Sequence, residues 1–189
     1  MWFWTTGYLP ARASLVLTIM PHVLHSNIEK LHGGILGGIL KRGTLKVGQE
    51  IEIKPGLSIK KANQQIYKTL TAKIVSLHKG NDNVDEIFPG SSISIETSLD
   101  PFLTKADSLT GCIAGLKGKL PEISHEIKIK KELFEEVLGT ADKKQVEPIK
   151  NRELLMLSVN TTITVGTVEK ISGNEMEISL NIPNVALKG

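Results

Sequence analysis

The chain has 189 residues, 40% of them hydrophobic and 23% charged, with 17 Gly, 8 Pro and one Cys; this is a globular composition and excludes a fibre or a tail. The length accommodates one large domain or two small ones, and with 4% aromatics the cores must be aliphatic. The net charge of +3 is spread as +1 over residues 1–25, +2 over 26–100 and zero over 101–189, too weak to argue for nucleic acid by itself, so any electrostatic footprint is local.

The first 20 residues hold Trp2, Phe3, Trp4 and Tyr8 and end in the apolar run Leu15–Met20, which superficially suggests a signal peptide. No basic n-region is present, Pro10 and Arg12 interrupt the stretch, and the remaining run is shorter than the roughly 20 residues that span a bilayer. No membrane association is expected. Leu15, Leu17 and Ile19 alternate, so residues 10–20 are a candidate strand in a segment otherwise strand-like or poorly ordered.

From residue 33 onward, short apolar runs are punctuated by Gly, Pro, Asn and Asp, the pattern of an all-β barrel or sandwich. Strands are predicted at Ile35–Leu40, Glu50–Lys54, Leu70–Leu77, Ser92–Glu96, Gly111–Leu116, Ser124–Lys130, Glu153–Asn160, Thr164–Ser172 and Glu175–Asn181. In Glu50–Lys54 and His125–Lys130 the isoleucines fall on one side and the charges on the other, which predicts one wet face for each. Gly173-Asn174 is a hairpin turn signal. Lys131–Leu138 has apolar residues at helical spacing before Gly139 and is expected to be a short helix. Leu57–Thr69, with Lys60, Lys61 and Lys68, and Gly139–Lys150 are expected to be long polar loops, places where partners bind. Turn signals at Leu99–Asp107 mark the expected domain boundary.

Several motifs invite a chemical test. Gly38 and Gly43 have the separation of a phosphate loop and Thr44 follows, but the lysine that neutralises the outer phosphates is missing and no helix is expected to follow. A nucleotide cradle is therefore not expected; tight turns or close backbone approach explain the glycines, and backbone exposed by consecutive glycines beside Lys41, Arg42 and Lys46 would admit a nucleic-acid end. Thr104-Lys105-Ala106-Asp107 is similar to a guanine-reading motif but follows Asp100-Pro101 rather than a buried parallel strand, and reads as a turn. His22, His25 and His32 lack a completing carboxylate or thiol for metal, and His78 and His125 stand alone in strand patterns. Cys112 lies in an apolar run, where a buried inert thiol in a reducing compartment is expected. No catalytic constellation is evident, and no enzyme is expected.

The block Gly33–Gly56, GGILGGILKRGTLKVGQEIEIKPG, strongly resembles the second domain of the gamma subunit of eukaryotic and archaeal translation initiation factor two. The resemblance continues through Lys73–Leu77, Phe88–Ser91, Thr97–Pro101, Ala106–Gly111, Gly118–Ile123 and Asn151–Val159, covering about residues 28–183. It implies an all-β chain of two consecutive small β-barrels of the translation-factor type, residues 27–106 and 107–189, with residues 1–26 unassigned. Family members carry a GTP-binding domain before these barrels, so GTP and Mg are implied only for that missing domain, with none for this chain. The implied partners are methionylated initiator tRNA, the alpha subunit, the beta subunit through the missing domain, and the small ribosomal subunit, all in the cytoplasm. By motif match, Gly33, Gly34, Gly37 and Gly38 would shape the barrel side of the pocket for the tRNA acceptor end, with Lys41, Arg42 and Lys46 as phosphate contacts. Solvated strand ends explain the cations equally well. Two alternatives stay open, a scaffold that docks only the alpha subunit and the barrel part of an elongation-factor-like GTPase.

Met1–Ser26 matches neither the strand nor the Lys-Pro-Gly turn that precede the Gly-rich block in the family, and family members continue beyond Asn181-Ile182-Pro183 with a further strand. Both barrels are therefore expected to be incomplete, leaving open edges, unless residues 10–20 supply a surrogate strand.

Overall fold

The computed structural model of the chain describes residues 16–20, 33–61, 64–90, 92–105, 108–137, 145–159 and 162–185. Its described residues form thirteen strands and one short helix in antiparallel sheets, as the all-β expectation requires. The main strands of the first sheet are β1 (Val16–Met20), β2 (Ile35–Arg42), β4 (Glu50–Lys61), β5 (Gln64–Lys79), β8 (Ser92–Thr97) and β9 (Ile113–Leu116). They pair in the order β4-β9-β1-β2-β8-β5, and β5 pairs back onto β4 to close the circuit. Between them, β3 (Leu45–Lys46) pairs with β7 (Glu86–Ile87), and β6 (Asp82–Val84) extends β5.

Alternation builds the barrel interior. On β2, Leu36 and Leu40 point inward and are 2% and 1% exposed, and they meet Ile51 and Ile53 of β4, Ile74 and Leu77 of β5 and Ile95 of β8 in one aliphatic core. Buried aliphatic side chains of this kind stabilise by about 1.5–3 kcal/mol each.

The gap expected at the start of this barrel is filled. β1 pairs with β2 from Val16↔Arg42 to Met20↔Gly37, and with β9 at Leu17↔Ala114 and Thr18↔Ile113. The surrogate strand anticipated within residues 10–20 thus lies between two others, and both edges of its backbone enter ladders. β9 also corrects the expected boundary at residue 106. It belongs to the first sheet, so the passage to the second sheet falls between Leu116 and Ser124.

That second sheet has the order β10 (Ser124–Lys130), β13 (Glu175–Asn184), β12 (Thr162–Ser172) and β11 (Leu154–Val159). Among the described residues it is an open antiparallel sheet. Its core gathers Ile127, Ile129, Leu155, Leu157, Val168, Met176, Ile178 and Leu180. The expected hairpin at Gly173-Asn174 joins β12 to β13 with Ser172 opposite Glu175, and Gly173 takes φ +56°. Ile113, Leu120 and Val185, 0%, 7% and 0% exposed, are buried together between the sheets, and the Thr162 hydroxyl donates to the Gly111 carbonyl across the same boundary at 2.8 Å.

Three further expectations are corrected. Leu57–Thr69 is not a loop: β4 and β5 continue as a two-stranded ribbon with Leu57↔Lys68, Ile59↔Ile66 and Lys61↔Gln64 in register. A register shift between Ile53 and Leu57 leads into it, where Gly56 takes φ +86° and a Cβ would fall 2.1 Å from the Lys68 carbonyl oxygen. Lys131–Leu138 is not a helix over its described part, residues 131–137. Glu136 bridges Gln145, and the Val146 amide donates to the Glu135 carbonyl at 3.1 Å; among its described apolar residues only Leu133 packs on the second core, while Phe134 stays exposed. The amphipathic helix had too little to bury, and pairing with residues 145–146 claimed the backbone instead. Leu138 and Gly139 lie outside the described residues, as does most of the expected loop Gly139–Lys150.

The third correction concerns the charged face of β4, which is not wet at Glu52 and Lys54. Glu52 is 7% exposed; its Oε1 accepts from the Leu120 amide at 2.9 Å. Lys54 Nζ lies 3.7 Å from Glu52 Oε2 and donates to the Leu120 and Pro121 carbonyls at 3.3 and 3.1 Å. Two charges one pleat apart therefore grip the segment that leads from β9 to β10.

Candidate nucleic-acid interface

The seven residues singled out in sequence run from just before β2, along the strand to its last residue, and on to β3. Gly33 and Gly34 are buried where the chain passes under the end of β8. The Gly34 amide donates to Leu99 at 2.8 Å, and its carbonyl accepts both the Thr97 amide at 2.9 Å and the Thr97 hydroxyl at 2.7 Å. A Cβ on Gly33 would fall 1.8 Å from the Thr97 carbonyl oxygen, and one on Gly34 2.7 Å from Cγ2 of Thr104. Glycine is required here for close approach.

Gly37 and Gly38 are also buried, in mid-strand. Gly37 faces Met20 of β1 and Ser94 of β8, and Gly38 faces Ile19 and Ile93. Their backbones are engaged by strands on both sides, so the expectation that consecutive glycines expose backbone to a ligand is corrected. Gly37 and Gly38 thus lie within the sheet, and Gly33 and Gly34 in the segment that leads into it.

The cations stand at the far end of β2. Lys41 is exposed and Arg42 half-buried at the strand's last residue. Gly43, at φ +79°, and Thr44 then turn the chain into the two-residue strand β3 rather than into the helix a phosphate loop needs. Lys46 follows on β3, exposed, with Nζ 3.2 Å from Oε1 of Glu86 on β7, and its amide donates to Gln49 Oε1 at 3.0 Å. Three cationic residues within six positions thus stand at the end of β2 and on β3, exposed at Lys41 and Lys46 and half-buried at Arg42, with Lys46 paired to Glu86. Exposed pairs of this kind contribute little, about 0–1 kcal/mol.

Other motifs resolve structurally. α1 (Pro101–Thr104) is capped by Asp100, whose Oδ1 accepts from the Phe102 amide at 2.9 Å, and Thr104 ends the helix against Gly34. The guanine-motif likeness is therefore a helix end after an antiparallel strand; Ala106 and Asp107 lie outside the described residues, as do His22, His25 and His32. Cys112 is 4% exposed; burial pushes its thiol up from the ordinary value, against a hydrogen bond to the Gly56 carbonyl. An uncharged, enclosed thiol is a poor nucleophile.

His78 does not stand alone. Strand register brings Ser76 of β5 opposite Glu96 of β8, the Ser76 hydroxyl donates to Glu96 Oε2 at 2.7 Å, and His78 Nε2 is 3.0 Å from the same hydroxyl oxygen. Since serine has one proton and gives it to Glu96, His78 Nε2 is the donor. The hydroxyl proton is held by the Glu96 carboxylate and the imidazole donates to the hydroxyl oxygen, so the three groups form a hydrogen-bond chain that ties β5 to β8. A same-strand reading misses such contacts because they depend on register.

Among the described residues no helix is long and apolar enough to cross a membrane. The outer face of β11 and β12 carries exposed Leu154, Met156, Ile163 and Val165, with Met156 directly opposite Val165.

The arrangement of strands matches a crystal structure of bacterial selenocysteine-specific elongation factor with a TM-score of 0.66 at 15% identity, over 93% of this chain and 24% of that one. The fold is that of the β-domains of a translation factor. Residues 125–189 match the family model Initiation factor eIF2 gamma, C terminal. The chain is 42% identical over 158 residues to translation initiation factor 2 subunit gamma of Methanocaldococcus jannaschii, across 84% of this chain and 38% of the relative. With the same subunit of Pyrococcus furiosus the identity is 44% over 161 residues, 85% of this chain and 39% of the relative. The chain belongs to the gamma-subunit family of translation initiation factor 2, and it spans about two fifths of the length of these relatives.

Proposed function

We propose that this chain is the β-barrel part of an initiation factor 2 gamma subunit and helps hold methionylated initiator tRNA for delivery to the small ribosomal subunit. The observation that carries the reading is the 42–44% identity to gamma subunits along some 85% of the chain, with the Lys41–Lys46 rim inside the matched fold. In this role Lys41, Arg42 and Lys46 contact phosphates of the acceptor end, and the buried glycines hold β2 close to Thr97, Leu99 and α1 so that the rim is rigidly placed. Phosphate contacts position a nucleic acid without reading its sequence. In this reading the acceptor end and methionine lie between the barrel and a nucleotide-binding domain that works beside it, and GTP and Mg belong to that domain rather than to the barrels. The setting is the cytoplasm.

Binding of methionylated initiator tRNA across a salt series tests the rim. Lys41→Ala combined with Lys46→Ala is expected to weaken binding and to flatten the salt dependence by about one unit of slope per lost contact. An unchanged slope removes the rim from the interface.

A second reading, docking of the alpha subunit alone, is favoured by the apolar patch of Leu154, Met156, Ile163 and Val165, because exposed contiguous apolar surface marks protein contacts. Capture of the alpha subunit, undiminished when tRNA binding is abolished, separates the two.

A further inference from the structure

The ribbon formed by the outer halves of β4 and β5 lies outside the Lys41–Lys46 rim. The rim adjoins the Glu50 end of β4, and Lys61 is at the other end of this 12-residue strand, a contour length of about 35 Å. Between Glu52 and Asp82 the chain holds six lysines, at 54, 60, 61, 68, 73 and 79, and no Asp or Glu. At the chain's average of 20 acidic residues in 189, about three would fall in that stretch, so the asymmetry is local and strong. Lys54 is taken up by Glu52, whereas none of the ion pairs among the described residues involves Lys60, Lys61 or Lys68.

Geometry spreads these charges over the whole ribbon. Leu57 opposes Lys68, Ile59 opposes Ile66, and Lys60 opposes Gln65. Lys61 and Lys68 therefore share one face with the Ile59–Ile66 pair between them, and Lys60 faces the other way beside Ser58 and Tyr67. Lys61 and Lys68 stand about 13 Å apart along the ribbon, roughly two phosphate steps of a nucleic-acid strand. The Gln65 amide donates to Ser58 at 2.6 Å, which ties the strands on the second face.

The apolar content is small. Ile59 and Ile66 are 42% and 44% exposed and Tyr67 is half-buried. No large side chain offers the desolvated anchor that dominates protein–protein interfaces. A narrow, cationic two-stranded ribbon without acidic residues suits a phosphate backbone, and the wide, shallow minor groove of an A-form helix admits such an element between its two phosphate rows.

We propose that the β4–β5 ribbon, through Lys60, Lys61 and Lys68, is a second RNA-binding element that grips the phosphate backbone of an RNA helix without sequence preference. It is independent of the acceptor-end rim and extends the RNA contact to helical RNA, of the transfer or ribosomal kind.

The test uses the full chain and an RNA stem-loop of about two helical turns that carries neither a free acceptor end nor an amino acid, so that the rim plays no part. Binding is followed by fluorescence anisotropy across a fourfold salt range. Three phosphate contacts contribute about 2–3 units to the salt slope, so the affinity of the unchanged chain is expected to fall about 30-fold more over that range than that of the Lys60→Gln, Lys61→Gln, Lys68→Gln variant. The corresponding triple Arg variant is expected to keep the slope, and Lys41→Ala with Lys46→Ala to leave it unaltered. Equal slopes for the unchanged chain and the Gln variant, with the variant's far-UV circular dichroism unaltered, overturn the proposal. So does displacement of the RNA by polyglutamate of matched charge at equal concentration, which assigns the ribbon to an acidic protein surface instead.

Discussion

Replacing Lys54 by methionine removes a charge that the structure places between a buried carboxylate and two backbone carbonyls. At 3.7 Å, two unit charges attract by about 4 kcal/mol at the effective dielectric of a site near the surface, before desolvation is subtracted. The variant leaves Glu52, 7% exposed, with one donor, the Leu120 amide, and strips the Leu120 and Pro121 carbonyls of their charged partner. Breaking a buried pair in this one-sided way costs about 3–5 kcal/mol; because Lys54 keeps some contact with solvent, about 3 kcal/mol is expected. Glu52→Gln is milder, about 1–2 kcal/mol, since the amide oxygen still accepts from Leu120. The double variant is expected to cost less than the sum of the two, with a coupling of about 1–3 kcal/mol. Urea unfolding followed by circular dichroism measures the three values, and amide exchange at Leu120 reports whether the linker has been released. Costs below about 0.5 kcal/mol for each single variant, with no coupling, would place the pair among ordinary surface ion pairs and refute its role as a clamp between the sheets.

Gly33→Ala drives a Cβ into the Thr97 carbonyl oxygen 1.8 Å away and is expected to cost about 3 kcal/mol in urea unfolding; a neutral result contradicts the close approach. Thr18→Pro removes a ladder donor from a strand paired on both sides and is expected to cost about 3 kcal/mol or more, whereas no loss would mean that β1 does not close the barrel. Glu177 accepts a hydrogen bond and opposite charge from Lys128 at 2.6 Å, which holds its carboxyl below the ordinary value. A depressed folded-state value stabilises above the unfolded one, about pH 4.3, and the contribution disappears as pH falls through the lower folded value. Glu177→Gln is accordingly expected to flatten the pH dependence of stability below about pH 4.3, an effect that high salt weakens; an unaltered pH profile at low salt contradicts it.

Much of this fold is legible in local alternation. Ser124–Lys130 is a strand over the span the period-two pattern marks, because one face of β10 is buried and the other wet. The ribbon escapes that reading because a two-stranded extension buries neither face, so its lysines and glutamines look like a loop although Leu57 and Ile59 alternate. Lys131–Leu138 fails in the opposite direction: helical spacing is present, but Phe134 stays exposed and pairing with residues 145–146 takes the backbone. Glu52 and Lys54 look solvated because the segment covering them lies more than sixty residues downstream. The same distance hides the role of Gly33 and Gly34. Their density draws attention to the right stretch, yet what makes them necessary is the Thr97–Thr104 segment under which they pass, and only the fold brings the two together. The cations at 41, 42 and 46 lie at and just beyond the end of β2, exposed at 41 and 46 and half-buried at 42, and the Lys46–Glu86 pair depends on β3–β7 register that two-residue strands do not announce.

The reading of the chain as one wall of a shared tRNA pocket is tested most directly by the affinity for methionylated initiator tRNA of this chain alone and of the same chain joined to the nucleotide-binding domain of a gamma subunit with GTP bound. Markedly tighter binding by the joined protein, lost on Lys41→Ala with Lys46→Ala, is expected if the acceptor end lies between the two parts. Equal affinity in the two forms, or tight binding that ignores both substitutions, contradicts it.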